Sequence, residues 1–174
     1  MPCIDAMLKK EKVITASPEQ TVAETLELFE KNEIRSVPVV DANGELVGLF
    51  NFLHLLKSIL PVPVTLDGDN DTWLRLRHLE ISLDHLAGSS PWVAQRLELL
   101  LPKKLETVMI KNPHFVHSET PLREGVRLIT KYGSPLPVVN EETHELVGIV
   151  TSQKVVSSLA KIAKSVAEGN KVDE

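Results

Sequence analysis

The stretch that follows Thr21 alternates between apolar and polar residues with the period of an α-helix. Val22, Leu26 and Phe29 would share one face of this helix. Thr21 followed by Glu24 is the capping-box pattern, in which the two side chains satisfy backbone N–H groups at the helix start. We therefore expect a helix that begins just after Thr21 and packs its apolar face inward.

A β-hairpin is predicted directly after this helix. Residues 37–40 are a short β-branched run that contains Pro38, residues 41–44 are rich in Asp, Asn and Gly, and a second apolar run covers 45–50. Two such runs joined by this type of turn are typical of a hairpin. Proline fits the start or edge of a strand, because no ladder hydrogen bond is needed from its nitrogen. A second helix is expected at about 52–60.

The same order of elements returns about one hundred residues later, which indicates an internal repeat. An extended segment opens each copy, at 14–16 and 114–116, so the repeating unit is β-α-β-β-α. In the second copy we expect Thr120 to cap the first helix, Pro121 to occupy its first position and Gly133 to end it. The matching segments are 17–22 with 117–122, 36–41 with 135–140, and 45–50 with 145–150.

A unit of about fifty residues buries too little surface to be stable alone, so the two copies are expected to pack together. The predicted fold class is α/β (α+β), with two β-α-β-β-α repeats related by a pseudo-twofold axis and a helical insertion between them. The expected divisions are residues 1–60 for the first repeat, 61–103 for the insertion, 104–167 for the second repeat and 168–174 for a frayed tail.

The insertion carries leucines at helical spacing, and Ser90 with Pro91 would start its last helix. Trp73 and Trp92 also lie in the insertion. They either anchor the core of this helical segment or contact a partner, and the sequence favours the core.

Charge and composition exclude several classes of protein. The net charge is −5 and the pI is about 5.7, without a basic cluster, so nucleic acid is not an expected partner. Cys3 is the only cysteine, which excludes an intramolecular disulfide and a thiolate zinc site. The sequence has neither a long apolar run nor a basic and apolar leader, so we expect a cytoplasmic protein without a membrane segment.

The chain also lacks the motifs of catalytic and metal-binding proteins. It contains no phosphate-binding Gly-Lys loop, no His-Glu-x-x-His and no Gly-x-Ser-x-Gly. His114 and His117 would face opposite ways on an extended segment. His78 and His85 would share a helix face, but no carboxylate or cysteine stands at ligand spacing. We therefore expect neither an enzyme nor a metal site.

The capped helix, the Val-Pro-Val-Val-Asp run, the Asn-Gly turn and the Glu-Leu-Val-Gly-Leu run together resemble the cystathionine-beta-synthase (CBS) domain. Two copies resemble the tandem arrangement that is called a Bateman module. The resemblance implies a non-catalytic regulatory or sensor module that binds an adenosine-type ligand, namely AMP, ADP, ATP or S-adenosylmethionine, in the cleft between the repeats. The alternative is a degenerate CBS pair that acts as a protein-interaction or dimerisation module without nucleotide.

The resemblance also implies which segments contact the ligand. They are the first strand of each copy, the stretch before the Pro-Val-Val run, and the segment that follows the hairpin. The implied ligand-binding residues are Thr15, Ala16, Ser36, Val37, Asn51 and His54 from the first copy, and Phe115, Val116, Pro135, Leu136, Thr151 and Lys154 from the second.

Both positions at which the family has a ribose-binding aspartate differ in this chain. His54 and Lys154 stand there, and a lysine can only donate hydrogen bonds. Thr151 and Lys154 at a helix start would suit a phosphate, with adenine against Phe115, Val116 and Leu136, although Thr151 also fits a simple helix cap. The cleft would thus hold a nucleotide in an altered pose, another ligand, or none.

Two further features of the pattern predict packing. Gly48 and Gly148 lie within strand patterns, where glycine indicates either a bend or close strand packing, or room for a ligand. The helix at 52–60 is apolar on nearly every side, and such a surface marks an interface. We expect a homodimer with the final helix of each copy near the interface, and a regulated protein as a further partner.

Overall fold

The computed structural model describes residues 2–59 and 91–169, without the side chains of residues 91, 92, 162 and 167–169. The leucine stripe of the insertion, Trp73, Ser90 and the side chain of Trp92 therefore lie outside the described residues. The elements are, in chain order, β1 (Leu8–Lys9), α1 (Val22–Asn32), β2 (Ser36–Val40), β3 (Leu46–Asn51), α2 (Phe52–Ile59), α3 (Pro91–Leu100), α4 (Leu105–Val108), β4 (Ile110–Lys111), β5 (Val116–His117), α5 (Leu122–Tyr132), β6 (Leu136–Val139), β7 (Leu146–Val150) and α6 (Ser152–Gly169). The mixed α and β class and both predicted hairpins are confirmed.

Helix α1 begins where the capping box places it. The backbone N–H of Thr21 donates to Oε2 of Glu24 at 2.7 Å, and the N–H of Glu24 donates to Oγ1 of Thr21 at 3.2 Å. The first of these bonds lowers the pKa of the Glu24 carboxyl below its usual value. The capping box needs the charged carboxylate of Glu24. Its contribution to stability is therefore complete above the usual carboxyl pKa and is lost as the pH falls through the lowered pKa of Glu24.

The cap of α1 gives the first testable prediction. Thr21→Ala removes the hydroxyl that accepts from Glu24, so we expect a loss of about 1 kcal/mol in the free energy of unfolding. Chemical denaturation followed by circular dichroism measures this loss. Thr130→Ala is the matched control, because Thr130 is an exposed residue in the last turn of α5 whose hydroxyl donates to the carbonyl of Val126 and caps no helix start. Equal losses in the two variants would contradict the capping role.

The start of α5 differs from the prediction. Pro121 is the residue before the helix, with ψ of 136°, and the helical residues begin at Leu122. Thr120 does not cap the helix, because its Oγ1 accepts a hydrogen bond from the backbone N–H of His117 at 3.1 Å. The predicted end is confirmed, since Gly133 follows the last helical residue and takes φ of 96°, which favours glycine.

The strands of the described residues form two sheets, with the orders β1-β7-β6-β5 and β2-β3-β4. Strands β6 and β7 are an antiparallel hairpin, and β5 pairs with β6 in parallel. The strand predicted at 14–16 is reduced to one parallel bridge between Ala16 and Val39. The sequence did not predict that β1, from the start of the chain, would pair with β7 of the second repeat.

Gly148 makes the pairing of β1 with β7 possible. A Cβ atom at this position would lie 2.5 Å from the carbonyl oxygen of Leu8 and 2.8 Å from Sδ of Met7. Of the two interpretations open for Gly148, the structure therefore supports close strand packing.

The described chain divides into two compact units. The first comprises Met1–Ser17, Pro38–Gly48 and Lys111–Glu174, and the second comprises Pro18–Val37 and Leu49–Ile110. The core of the first unit consists of Cys3, Ala6, Val116, Leu122, Leu136, Val138, Val150 and Val155. Burial in this core raises the pKa of the Cys3 thiol. In the second unit the rings of Phe29 and Phe50 pack with centroids 6.0 Å apart.

The turns of the two hairpins meet within the first unit. The N–H of Leu46 donates to the carbonyl of His144 at 3.3 Å, and the N–H of Leu146 donates to the carbonyl of Gly44 at 3.0 Å. Glu45 and Glu145 form the antiparallel bridge between these bonds. Equivalent residues of the two repeats thus exchange equivalent hydrogen bonds, as a pseudo-twofold relation between the hairpins requires.

Candidate functional site

A cleft of about 650 Å³ opens beside these hairpin turns, entirely within the first unit. This volume falls in the range of small-molecule binding sites. Three parts of the chain supply its walls: the start of β3, the segment before β5 and the turn before β7. The lining residues are Leu46, Val47, Asn112, Pro113, His114, Phe115 and His144.

Phe115 is the centre of a small group of rings at this cleft. Its ring meets the imidazole of His144 edge to face, with centroids 4.8 Å apart, and meets that of His117 in the same way at 5.6 Å. Phe115 also packs against the cluster of Leu46, Val139 and Leu146. Packing against this apolar cluster therefore helps to hold the phenyl ring in place.

His114 is the second ring residue of the lining. Its imidazole stacks on the phenol ring of Tyr132, with centroids 3.6 Å apart and planes 21° from parallel. Nζ of Lys131 lies 5.0 Å from the centroid of the same phenol ring, within cation–π distance. The stack therefore continues from the cleft to the end of α5.

Two lining residues have left-handed backbone conformations, Asn112 with φ of 52° and His144 with φ of 59°. Asparagine and histidine tolerate this region better than most residues. The turn that carries His144 is held by Oδ1 of Asn140, which accepts from the N–H groups of Glu142 and Thr143. The cleft is thus bordered by a left-handed residue before β5 and by the hydrogen-bonded turn before β7.

The electrostatic character of the cleft follows from its lining. The seven residues comprise apolar side chains, rings and one amide, and no carboxylate, lysine or arginine is among them. Such a surface suits a neutral aromatic or heteroaromatic group better than a phosphate.

The sequence-predicted residues lie in several places, and Phe115 is the one among them that lines this cleft. Val116 and Leu136 are only 3% and 2% exposed and belong to the core of the first unit. Their role as adenine walls beside Phe115 stays a prediction, for which the two side chains offer little exposed surface. Phe115, directly before β5, lines the cleft, whereas Val116, the first residue of β5, lies in the core. Pro135, which precedes Leu136, is half-buried.

Thr151 caps the last helix. Its Oγ1 accepts from the backbone N–H of Lys154 at 3.2 Å, and its carbonyl accepts from the N–H of Val155 at 3.0 Å. The simple capping role of Thr151 is thus confirmed, and its carbonyl and hydroxyl oxygens both serve the helix start. The side chain of Lys154 is exposed.

Asn51 caps α2 in the same way, because its Oδ1 accepts from the N–H of His54 at 2.7 Å. Nε2 of His54 lies 2.7 Å from the carbonyl oxygen of Val108. Since a carbonyl only accepts, Nε2 must carry the proton in this contact. The imidazole of His54 is thus bonded to the backbone at the end of α4, and a ribose contact through Nε2 would require this bond to break.

The remaining predicted residues of the first copy are mostly enclosed. Ala16 and Val37 are buried, and Thr15 and Ser36 are half-buried. Oγ of Ser36 is buried and has no hydrogen-bond partner among the described residues. These four residues therefore offer little side-chain surface to a ligand.

Most of the cleft was not predicted from the sequence. His114 lay in the segment 114–116 that the resemblance assigned to ligand contact but was not among the implied binding residues, and no binding role was predicted for Asn112, Pro113, His144, Leu46 or Val47. The pair His114-Phe115 could have indicated the cleft, because it is the one place in the sequence where two aromatic side chains are adjacent. The described residues contain no group of three or more histidine, cysteine or carboxylate side chains that is arranged to hold a metal ion. In the same part of the chain, no helix combines the length and the apolarity that a membrane span requires.

Comparison with known proteins agrees with this architecture. The sequence-family model of the CBS domain matches residues 5–61 and again residues 105–161. These two matches cover well over half of the chain, at the positions of the two repeats. The chain therefore belongs to the CBS domain family, as a tandem pair.

Individual relatives are distant but extend over most of the chain. The uncharacterized protein MJ1426 of Methanocaldococcus jannaschii is 26% identical over 151 residues, which are 85% of this chain and 86% of that protein. The structure of CBSX2 in complex with AMP is 25% identical, covers 92% of this chain and 97% of that one, and superposes with a TM-score of 0.65. The CBS domain pair of MJ0100 in complex with 5′-methylthioadenosine and S-adenosyl-L-methionine is 22% identical, with coverage of 91% and 99% and a TM-score of 0.59.

Proposed function

We propose that this protein is a non-catalytic regulatory module of the cytoplasm that binds an adenosine-type ligand, namely AMP, ADP, ATP or S-adenosylmethionine, with the base in the cleft beside Phe115. The observation that carries the proposal is the lining of that cleft, which combines a phenyl ring, two imidazoles and an amide with apolar side chains. The similarity to CBSX2, whose structure holds AMP, supports the choice of ligand class.

Regulation through this site requires that the ligand prefer one arrangement of the protein over another. A ligand shifts an equilibrium only by its difference in affinity for the two states. The cleft is built from three segments that are distant in sequence, the start of β3, residues 112–115 and the turn at His144. A bound base would contact all three at once, so it would favour the arrangement in which the hairpin turns are paired.

Calorimetric titration tests this function. We expect at least one of AMP, ADP, ATP and S-adenosylmethionine to bind at one saturable site, and adenosine to retain part of that affinity because the base supplies the cleft contacts. Ribose 5-phosphate, which lacks the base, should not bind in the cleft. The absence of heat and of chemical-shift change with all of the adenine compounds would overturn the proposal.

The same titration with Lys154→Met tests the predicted phosphate contact at the start of α6. If Lys154 bonds to phosphate, ATP should weaken by about tenfold while adenosine is unchanged, since a charge-assisted hydrogen bond is worth roughly 1.5–3 kcal/mol. Equal effects on the two ligands would show that the lysine has no phosphate contact.

The second candidate function is an interaction module that dimerises and binds no nucleotide. The exposed apolar side chains of α6 favour it. Val156, Leu159 and Val166 are 58%, 55% and 59% exposed, and Ala163 lies between them on the same face. Their spacing of three, four and three residues is that of a coiled-coil seam, which fits a second copy of the same helix. The homodimer is therefore part of the proposal, and it is compatible with ligand binding.

A further inference from the structure

One ring contact at the cleft is not explained by packing of the core. His114 and Tyr132 are both exposed, Tyr132 to 47%, yet their rings stack at a centroid distance of 3.6 Å. Exposed rings have no burial requirement that would force them together. Their alignment therefore defines a surface feature, and His114 is the member that also borders the cleft.

Tyr132 occupies a fixed position at the end of α5. The N–H of Gly133 donates to the carbonyl of Ile129 at 2.8 Å, and the left-handed Gly133 ends the helix immediately after Tyr132. Lys131 covers the phenol ring at 5.0 Å. One face of the His114 imidazole is thus occupied by a ring that a helix end holds in place, while the residue still lines the cleft.

We infer that His114 is the surface on which the base of the ligand stacks, and that Tyr132 is a positioning residue that holds the imidazole for this contact. The inference rests on the proposed adenosine-binding function and deepens it. A purine on the imidazole face opposite Tyr132 would complete a stack of three rings, with Phe115 and Pro113 among the other residues that line the cleft. Stacking of bases on side-chain rings tolerates different bases, so this contact selects for an aromatic group and not for a particular phosphate.

The experiment measures binding of adenosine and of 2-aminopurine riboside, whose fluorescence is quenched on stacking. We expect His114→Ala to weaken both ligands by roughly tenfold and to abolish the quenching of the bound probe. His114→Phe should restore affinity to within about threefold, because it keeps a ring face.

Tyr132 is tested with a conservative and a disruptive variant. Tyr132→Phe keeps the ring and should leave affinity and quenching unchanged, whereas Tyr132→Leu should weaken adenosine by about threefold or more and reduce the quenching. Both positions are exposed, so the variants are expected to fold, and circular dichroism checks this. If wild-type protein binds adenosine and His114→Ala binds it equally well, the stacking inference is overturned while the proposed function stands. If wild-type protein binds no adenine compound, both fail.

Discussion

Replacement of Gly148 by alanine is expected to cause a large loss of stability, about 2–3 kcal/mol in the free energy of unfolding. The added Cβ would stand 2.5 Å from the carbonyl oxygen of Leu8 and 2.8 Å from Sδ of Met7. The first of these obstacles is backbone, so no side-chain rotation relieves it. Strand β1 must move off β7, which breaks the pairing of Leu8 with Ile149 and of Lys9 with Gly148. Chemical denaturation monitored by circular dichroism measures the loss.

Gly125 provides the matched control for Gly148. A Cβ at Gly125 would meet Sγ of Cys3 at 2.9 Å, so its principal obstacle is the end of a side chain. We expect Gly125→Ala to be destabilising alone and to be rescued by Cys3→Ala, whereas Met7→Ala should not rescue Gly148→Ala. Rescue of Gly148→Ala by Met7→Ala would contradict the backbone clash, and so would a loss below about 0.5 kcal/mol, the range of surface substitutions.

The second large effect is expected for the proposed homodimer. Leu159→Glu places a charge in the middle of the apolar seam of α6, between Val156 and Ala163. An unpaired charge in an interface costs roughly 2–5 kcal/mol, so dimerisation should weaken by about a hundredfold. Light scattering at micromolar concentration should give the mass of a dimer for the wild-type protein and of a monomer for the variant.

Lys161→Glu is the control for the dimer, because Lys161 is exposed on the opposite side of α6 from Leu159. It changes the charge of the same helix without entering the seam, and the dimer should persist. A monomeric wild-type protein at this concentration would remove the homodimer from the proposal. A dimer that survives Leu159→Glu would move the interface away from α6.

The parts of the fold that the sequence predicted are those with local signals. The capping box of Thr21 and Glu24 acts within one helical turn, and the glycine after Tyr132 marks the end of α5 by its own conformation. Turn residues between short apolar runs located both hairpins. Each of these signals depends on neighbours in the chain, so a pattern is sufficient to find it.

The features that the sequence did not predict depend on residues that are distant in the chain. Strand β1 contains only Leu8 and Lys9, too few residues for a period to show, and its partner is β7. The hydrogen bond between the His54 imidazole and the carbonyl of Val108 joins α2 to α4, and no local sequence pattern predicts it.

The candidate site was only partly predictable for the same reason. The family resemblance implied Phe115, which does line the cleft, but it also implied Val116 and Leu136, whose side chains are core residues. Successive side chains of an extended segment point to opposite faces, so the extended segment predicted at 114–116 could have separated Phe115 from Val116. The contribution of His144 required the pairing of the two hairpin turns, which only the three-dimensional structure shows.

The pairing of β1 with β7 has a consequence for how the chain folds. Leu8 finds its partner at Ile149, so this strand pair closes a loop that contains the first repeat, the insertion and most of the second repeat. Contacts between such distant residues are slow to form, because the entropy of closing the loop is lost before the contact is gained. During synthesis the segment around Cys3 and Met7 leaves the ribosome long before β7 exists. Its apolar side chains must therefore remain without their native partners until the second hairpin has been made.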